Sequence, residues 1–133
     1  MKEPIFSMEI DVRDYELDSE GIVNNAIYLN YLEYTRHCFC QQAGLTFKQM
    51  TEQGIIPVAN RIEIDYLHPL HSGDTVISSL YVEKKGVRFL FHQTLTIKGS
   101  DKVAAKAIVS IVTIENGTIG RGELLSKCFH KYL

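Results

Sequence analysis

Much of what this sequence says about its structure lies in residues 12–36, VRDYELDSEGIVNNAIYLNYLEYTR. A strand-like segment ends in an acidic turn at residues 18–21, and the paired asparagines Asn24 and Asn25 follow shortly after it. Apolar residues from position 26 to about 39 recur at helical spacing, which predicts a long helix with a broad apolar face. Asn24 is the expected cap of this helix. The stretch therefore predicts a carboxylate a few residues before a helix start.

That combination of groups suits chemistry on an acyl carbonyl. A helix start presents unpaired backbone N–H groups and a partial positive charge, which polarise a carbonyl oxygen. The carboxylate of Asp18 can then attack the carbon or activate a water molecule. We expect Asn25 to act through its main-chain N–H rather than through its side chain. The alternative for Asp18 is purely structural, because aspartate often closes turns of this kind.

The remaining sequence predicts a strand before the long helix and four antiparallel strands after it. Residues 5–12 alternate in the manner of a first strand, and Gly44 is expected to end the long helix. From position 55 onward the hydrophobic period changes to two. The segments predicted after the long helix are a short helix at residues 47–53, strands at 61–66, 75–83, 87–97 and 102–114, and a short final helix within 121–133.

Such a sheet can bury one long helix only if it curls around it. The sequence therefore predicts an α+β fold of one domain, residues 1–133. In this fold an antiparallel sheet wraps around one long central helix and buries it along its whole length. The outer sheet face and the edge strand would still need cover, which predicts a homodimer or a homotetramer.

These residues resemble the signature of the hotdog-fold thioesterases of the hydroxybenzoyl-CoA thioesterase type. The shared features are an Asp-x-x-Gly turn, an asparagine-rich helix start and a Tyr-Leu-x-Tyr-x-Glu helix, here residues 28–33. Residues 64–74, IDYLHPLHSGD, resemble the family's second landmark, which has an aromatic residue, a proline and a Gly-Asp turn. The phrase RDYELD, followed by Gly-x-Val-Asn-Asn-Ala, is also similar to plant plastid acyl thioesterases.

The resemblance implies a hotdog fold and an enzyme that hydrolyses an acyl thioester of coenzyme A or of acyl carrier protein. It also implies that Asp18 is the catalytic nucleophile or general base and that Asn25 supplies the oxyanion amide. Gly21 matches the glycine that lets the chain approach the thioester closely. Glu33 matches a frequent helix glutamate and is a candidate accessory residue. Many members carry histidine after the glycine, whereas this chain has Ile22.

Further substrate contacts are expected at a basic cluster and at one aromatic residue. Lys84, Lys85 and Arg88 could clamp the phosphates of coenzyme A, and in related hotdog enzymes this region often serves a neighbouring subunit. The alternative for this cluster is a solvated hairpin. Tyr28 is expected either to line the acyl pocket or to pack in the core.

Composition excludes several other classes of protein. The chain has 133 residues, of which 45% are hydrophobic and 23% charged, and its formal net charge of -2 offers no basic field for nucleic acid. Because it shows no apolar run that could span a bilayer and no signal segment, we expect a cytoplasmic protein. No metal-ligand spacing occurs, and we expect no cofactor beyond the coenzyme A of the substrate itself.

Two alternatives remain open on the same fold. One is a non-catalytic module that binds acyl-CoA, against which the retained Asp18 argues. The other is a hydratase or dehydratase that acts on enoyl thioesters. Enzymes of that kind usually depend on a histidine near the helix entry, where this chain has Ile22.

Overall fold

One antiparallel sheet and one long helix form most of the structure, a computed structural model that describes residues 2–133. The elements in chain order are β1 (Phe6–Asp11), a 3-10 turn (Asp14–Glu16), α1 (Asn25–Gln42), α2 (Phe47–Glu52), β2 (Ile55–Tyr66), β3 (Thr75–Lys85), β4 (Arg88–Ile97), β5 (Val103–Glu115), β6 (Thr118–Ile119), α3 (Glu123–Cys128) and a second 3-10 turn (His130–Tyr132). The predicted α+β class, a curled antiparallel sheet with one long helix, is confirmed. No helix within residues 2–133 has the length and apolar character needed to cross a membrane.

The strand order of the sheet is β1-β3-β4-β5-β2, with the short β6 paired to β5. β3 follows β2 in the chain, but the two strands are not neighbours in the sheet. β1 forms one edge of the sheet, and β2 forms the other edge, beside β5. The four predicted strands are present, but their sequence did not reveal this crossover. The connecting loop carries the chain across the fold, since Leu70 is fully buried and the amides of Leu67 and His68 both donate to the carbonyl of Ala104.

α1 rests on the sheet through one of its faces. Its buried residues are Tyr28, Tyr31, Leu32, Thr35, Arg36 and Phe39. Leu29 and Tyr34 lie on other faces and are 36% and 55% exposed. The sheet therefore buries the helix along its length, as predicted, but only on the face that the sheet contacts.

Two apolar clusters fill the space between α1 and the sheet. The first surrounds the N-terminal half of the helix, around Tyr28, Tyr31 and Leu32. The second surrounds the C-terminal half, where Phe39 packs against Phe129 of the segment that follows α3. Between the two clusters the hydroxyls of Thr35 and Ser78 are hydrogen-bonded at 2.6 Å, which fixes the helix to β3. The helix cannot slide along the sheet without breaking this buried contact.

Local sequence rules explain both ends of α1. The side chain of Asn24 accepts a hydrogen bond from the amide of Ala26 at 2.9 Å, so Asn24 is the N-cap as predicted. At the other end Gly44 adopts the left-handed conformation, with a φ of 83°. β2 begins at Ile55 rather than at residue 61, and it tolerates Pro57 because an edge strand has one side free of ladder hydrogen bonds.

Candidate active site

The turn before α1 holds the predicted carboxylate. The Oδ1 atom of Asp18 accepts hydrogen bonds from the amides of Glu20 at 2.8 Å and Ile22 at 3.4 Å. Gly21 donates its amide to the Asp18 carbonyl at 3.1 Å and has a φ of 81°, which favours glycine. The structural role of Asp18 is therefore real. It leaves the Oδ2 atom without a hydrogen bond to any atom of residues 2–133, and the side chain is exposed, so one oxygen is free for chemistry.

The start of α1 holds the predicted donor. Asn24 accepts hydrogen bonds from the next two amides: its side-chain oxygen accepts from Ala26, and its backbone carbonyl accepts from Ile27. The amide of Asn25 donates to no atom within the described chain, and the residue is exposed. Its carbonyl accepts from the hydroxyl of Tyr66 at 3.1 Å, which fastens the first helical turn to the end of β2. A free backbone donor thus stands at the helix start as expected.

A short antiparallel ladder joins the turn to the helix start. Leu17 and Val23 form a bridge, the amide of Asp18 donates to the carbonyl of Ile22 at 2.8 Å, and the amide of Asn24 donates to the carbonyl of Glu16 at 3.0 Å. No hydrogen bond links Asp18 to Asn25 directly. The ladder holds the turn that contains Asp18 and Gly21 against the segment that leads into α1 at Asn25.

A buried carboxylate that sequence reasoning missed supports this loop. Glu16 is only 5% exposed. Its Oε1 atom accepts from the hydroxyl of Tyr31 at 2.6 Å and from the amide of Arg13 at 2.8 Å, and its Oε2 atom accepts from Nη2 of Arg13 at 2.8 Å. The spacing of Arg13 and Glu16 is that of a capping pair, and this was the available sequence signal.

The hydrogen bonds to Glu16 decide its charge. Burial acts to raise the pKa of the Glu16 carboxyl, but the hydrogen bonds from Arg13 and Tyr31 outweigh it and hold this pKa below its ordinary value. Burial, together with the hydrogen bond to Glu16, raises the pKa of the Tyr31 hydroxyl well above its ordinary value. At neutral pH the pair is therefore an ionised carboxylate that accepts from a neutral phenol.

The strip between α1 and the edge strand β2, called the α1–β2 crevice below, is closed by side-chain contacts at one end and opens into a pocket at the other. At one end Tyr66 contacts Asn25 and packs edge-on against Tyr28, with 5.0 Å between the ring centroids. At the other end a pocket of about 550 Å³ opens between α1, α2, β2 and the α3 region. Its lining includes Glu33, Arg36, Cys40, Met50, Pro57 and Phe91. The sequence did not predict this pocket, because its walls come from five separate parts of the chain.

Two predicted site residues take their places relative to this crevice. Tyr28 is buried in the core cluster around the start of α1, which is the structural alternative for this residue. Glu33 is exposed and forms part of the pocket lining, two helical turns beyond Asn25. Glu33 is therefore close to the distal part of the crevice rather than to Asp18.

The predicted basic cluster is divided and lies far from Asp18 on the same chain. Lys84 donates to the carbonyl of Arg121 at 2.8 Å and to the hydroxyl of Ser126 at 2.9 Å, so it fastens the α3 region to the sheet. Lys85 is exposed and Arg88 is half-buried. Lys85 is the last residue of β3 and Arg88 is the first of β4, whereas the Asp18 loop lies beside the start of β3, roughly 35 Å away for a strand of this length.

No group of three or more histidine, cysteine, aspartate or glutamate side chains within residues 2–133 is arranged to hold a metal ion.

Comparison with known proteins assigns the family. Residues 12–127 match the model of the thioesterase-like superfamily. The chain belongs to this family. The Asp18 turn, α1 and every strand of the sheet except β1 fall inside the matched region, so the resemblance seen in the sequence is confirmed.

The chain matches relatives in the thioesterase-like superfamily over different shares of their length. It is 39% identical over 70 residues to the acyl-acyl carrier protein thioesterase ATL3, chloroplastic, of Arabidopsis thaliana, a match that covers 53% of the chain but only 37% of the plant protein. It is 32% identical over 108 residues to the long-chain acyl-CoA thioesterase FadM of Escherichia coli, covering 80% and 81% of the two chains.

A solved structure shows the same fold. A thioesterase from Thermus thermophilus, crystallised in complex with coenzyme A and Zn, superimposes with a TM-score of 0.75 at 27% identity. The match covers 90% of this chain and 87% of that one. The architecture of the thioesterase-like superfamily therefore extends over nearly the whole chain, as the hotdog prediction required.

Proposed function

We propose that this chain is an acyl thioesterase, which hydrolyses an acyl-CoA or acyl-carrier-protein thioester to a free acid and a thiol. Two features carry the proposal: the free amide of Asn25 at the start of α1, and an exposed Asp18, seven residues earlier in the chain, with one unbonded carboxylate oxygen. Membership of the thioesterase-like superfamily supports it, as do the activities named for ATL3 and FadM.

The reaction needs a donor for the carbonyl oxygen and a base or nucleophile for the carbon. The thioester oxygen accepts from the Asn25 N–H and gains negative charge as the carbon becomes tetrahedral; one such donor contributes roughly 3–4 kcal/mol to lowering the barrier. Asp18 takes a proton from a water molecule, and the oxygen of that water adds to the thioester carbon. The C–S bond then breaks, and the thiolate recovers the proton from Asp18.

In the alternative route the Asp18 carboxylate attacks the carbon itself. The thiolate leaves, and water hydrolyses the resulting mixed anhydride. A single turnover in ¹⁸O-labelled water tests for the nucleophilic route. Label in the Asp18 carboxylate shows that water added to the Asp18 carbon of the anhydride, so Asp18 was the nucleophile. The general base puts label in the free acid alone, as does water that adds to the acyl carbon of the anhydride.

The α1–β2 crevice is the proposed acyl site. Helix geometry places Glu33 roughly 12 Å along the axis from Asn25, so a chain attached at the thioester passes along this side of the helix toward the pocket. A pocket of about 550 Å³ at that distance favours long acyl chains over short ones. FadM is named for long-chain acyl-CoA, which agrees with this preference.

A second copy of the chain is proposed to complete the site. Along the outer edge of β2 the apolar side chains of Ile56, Val58, Ile62 and Tyr66 are exposed, at 61%, 39%, 42% and 44%. An edge strand of this length with an apolar surface is expected to pair with another strand. Pairing of β2 with its copy would cover the open side of the crevice. It would also allow Lys85 and Arg88 to serve the partner's substrate rather than their own.

The test is a panel of acyl-CoA and acyl-carrier-protein substrates, from acetyl to stearoyl, in which the released thiol is measured. We expect thiol release that increases with chain length, and the ratio of the two carriers identifies the natural thiol. Tight acyl-CoA binding without any thiol release would instead support a binding module. With an enoyl-CoA added to the panel, loss of enoyl absorbance without thiol release would support a hydratase.

A further inference from the structure

Arg36 is a largely buried cation whose nearest opposite charge is the exposed carboxylate of Glu33, with which it forms no ion pair. It is only 9% exposed, and its Nη1 atom donates to the side-chain oxygen of Gln93 at 3.0 Å. Gln93 in turn donates to the carbonyl of Leu32 at 3.0 Å. Arg36 forms no ion pair with any carboxylate of residues 2–133. A guanidinium has five N–H donors, so most of those on Arg36 are not used by the described chain.

The unused donors belong to the wall of the pocket at the distal end of the crevice. Arg36 is part of its lining, together with the apolar side chains of Met50, Phe91 and Phe129. Glu33 also borders the pocket, but it is exposed to solvent, which screens its charge. Burial raises the pKa of the Cys40 thiol to about 11, so Cys40 is neutral.

A charge buried without a partner is unfavourable. Removing a guanidinium from water costs free energy that only an opposite charge or a full set of hydrogen bonds recovers. Burial lowers the pKa of Arg36 for the same reason. A carboxylate can accept two parallel hydrogen bonds from arginine, and an apolar chain attached to it would fill the rest of the pocket.

We propose that this pocket binds a carboxylate carried on an apolar chain, with the carboxylate on Arg36. Two sources share this chemistry. The carboxylate can be the far end of a dicarboxylic acyl thioester whose reacting end lies at Asn25, a case that rests on the proposed function. It can also belong to a free fatty acid, the product class of that reaction, entering with its head group first.

The distance between Asn25 and the Arg36 site determines the chain length of the test compounds. Arg36 is anchored through Gln93 beside Leu32, which lies roughly 10 Å along the helix axis from Asn25. An extended chain advances about 1.2 Å per bond, by analogy with extended polypeptide. About nine bonds therefore cover this distance, and ten-carbon compounds are suitable.

The first experiment measures binding to the intact protein by calorimetry. Decanoate is compared with 1-decanol, which has the same chain without the charge. We expect decanoate to bind about tenfold or more tightly, the worth of a charge-assisted hydrogen bond, and we expect Arg36→Met to remove this preference. Arg121→Gln, which removes a charge from an exposed arginine, should retain it.

The second experiment compares hydrolysis of decanedioyl-CoA, with one free carboxylate, and decanoyl-CoA. A higher kcat/KM for decanedioyl-CoA that Arg36→Met abolishes and Arg36→Lys partly restores identifies the acyl substrate as the source. A decanoate preference without this effect identifies the free acid. The comparisons on the unaltered protein hold even if the Arg36 variants do not fold.

The inference is overturned if the unaltered protein neither binds decanoate more tightly than 1-decanol nor hydrolyses decanedioyl-CoA with a higher kcat/KM than decanoyl-CoA. If decanoyl-CoA is still hydrolysed in that case, the proposed function stands and only the carboxylate site is lost. If decanoate binds through Arg36 but no acyl-CoA is hydrolysed, the carboxylate site stands and the proposed function is lost.

Discussion

The hydroxyl of Tyr31 on α1 donates to the carboxylate of Glu16 at 2.6 Å, in a site closed to solvent. Glu16 lies two residues before Asp18, and its carbonyl accepts the amide of Asn24. The helix and the turn with the proposed catalytic carboxylate are therefore joined by a buried contact. The contact acts on Asp18 through the backbone, so Glu16 is a positioning residue and not a catalytic one.

This contact predicts coupling between Glu16 and Tyr31 in a double-mutant cycle. Tyr31→Phe removes one donor to the carboxylate, and we expect the free energy of unfolding to fall by about 1.5–3 kcal/mol. Glu16→Gln should cost a similar amount, and the double variant should cost less than the sum because the same interaction is lost. Chemical denaturation measures all four proteins. Strict additivity would contradict the coupling.

The depressed pKa of Glu16 predicts a specific loss of stability in acid. The ordinary pKa is 4.5, and the pKa of Glu16 in the folded protein is lower. Its contribution is therefore complete above pH 4.5 and is lost as the pH falls through the folded pKa, since the unfolded chain takes up the proton first. The free energy of unfolding of the unaltered protein should fall more steeply below pH 4.5 than that of Glu16→Gln. Equal slopes would show that Glu16 does not contribute in this way.

Asp18→Asn should separate the two roles of this residue. Asparagine keeps an oxygen that can accept from the amides of Glu20 and Ile22, so the turn and the melting temperature should be retained. It cannot act as a base or nucleophile, and kcat should fall by roughly 10²–10⁴-fold. Glu20→Gln removes an exposed carboxylate from the same turn and should leave thiol release nearly unchanged. Near-normal turnover by Asp18→Asn would exclude Asp18 from the mechanism.

Neighbouring lysines of the basic cluster should behave differently. Lys84→Gln breaks the hydrogen bonds to Arg121 and Ser126, so the melting temperature should fall by a few degrees. Lys85→Gln should leave the melting temperature unchanged but raise the KM for acyl-CoA, and more so at low salt, because exposed charges are less screened there. A KM unaffected by Lys85→Gln at every salt concentration would dismiss the phosphate clamp.

The exposed edge of β2 predicts that assembly and activity are linked. Ile62→Lys places a charge on that edge, and we expect it to shift a dimer toward monomer and to reduce thiol release. Ile119→Lys is the matched control, because Ile119 is also exposed but lies on the short strand β6. Light scattering after size-exclusion chromatography gives the masses. A fully active monomer would remove the need for a second copy.

Local chemistry explains what the sequence could predict. The cap at Asn24, the left-handed Gly44 and the turn at Asp18 each depend on residues within a few positions of one another. Such signals are readable without tertiary structure. The strand periods are equally local, which is why the number and type of the long elements are confirmed.

Contacts between distant segments explain what the sequence could not predict. The burial of Glu16 depends on Tyr31, the anchoring of Lys84 depends on Arg121, and the pocket walls come from several elements. The place of β2 beside β5 depends on a crossover that no local pattern encodes. The proposed roles of Asp18 and Asn25 remain predictions until the variants are measured.

The crossover of β2 has a consequence for synthesis of the chain. In the register with β5, Ile55 is opposite Glu115 and Tyr66 is opposite Ala105, so β2 has no partner strand until the C-terminal third has left the ribosome. During that interval β2, with the apolar side chains of Ile56, Val58 and Ile62, has no strand to form backbone hydrogen bonds with. Nascent chains of this protein are therefore most prone to aggregate or to recruit a chaperone before residues 103–115 emerge.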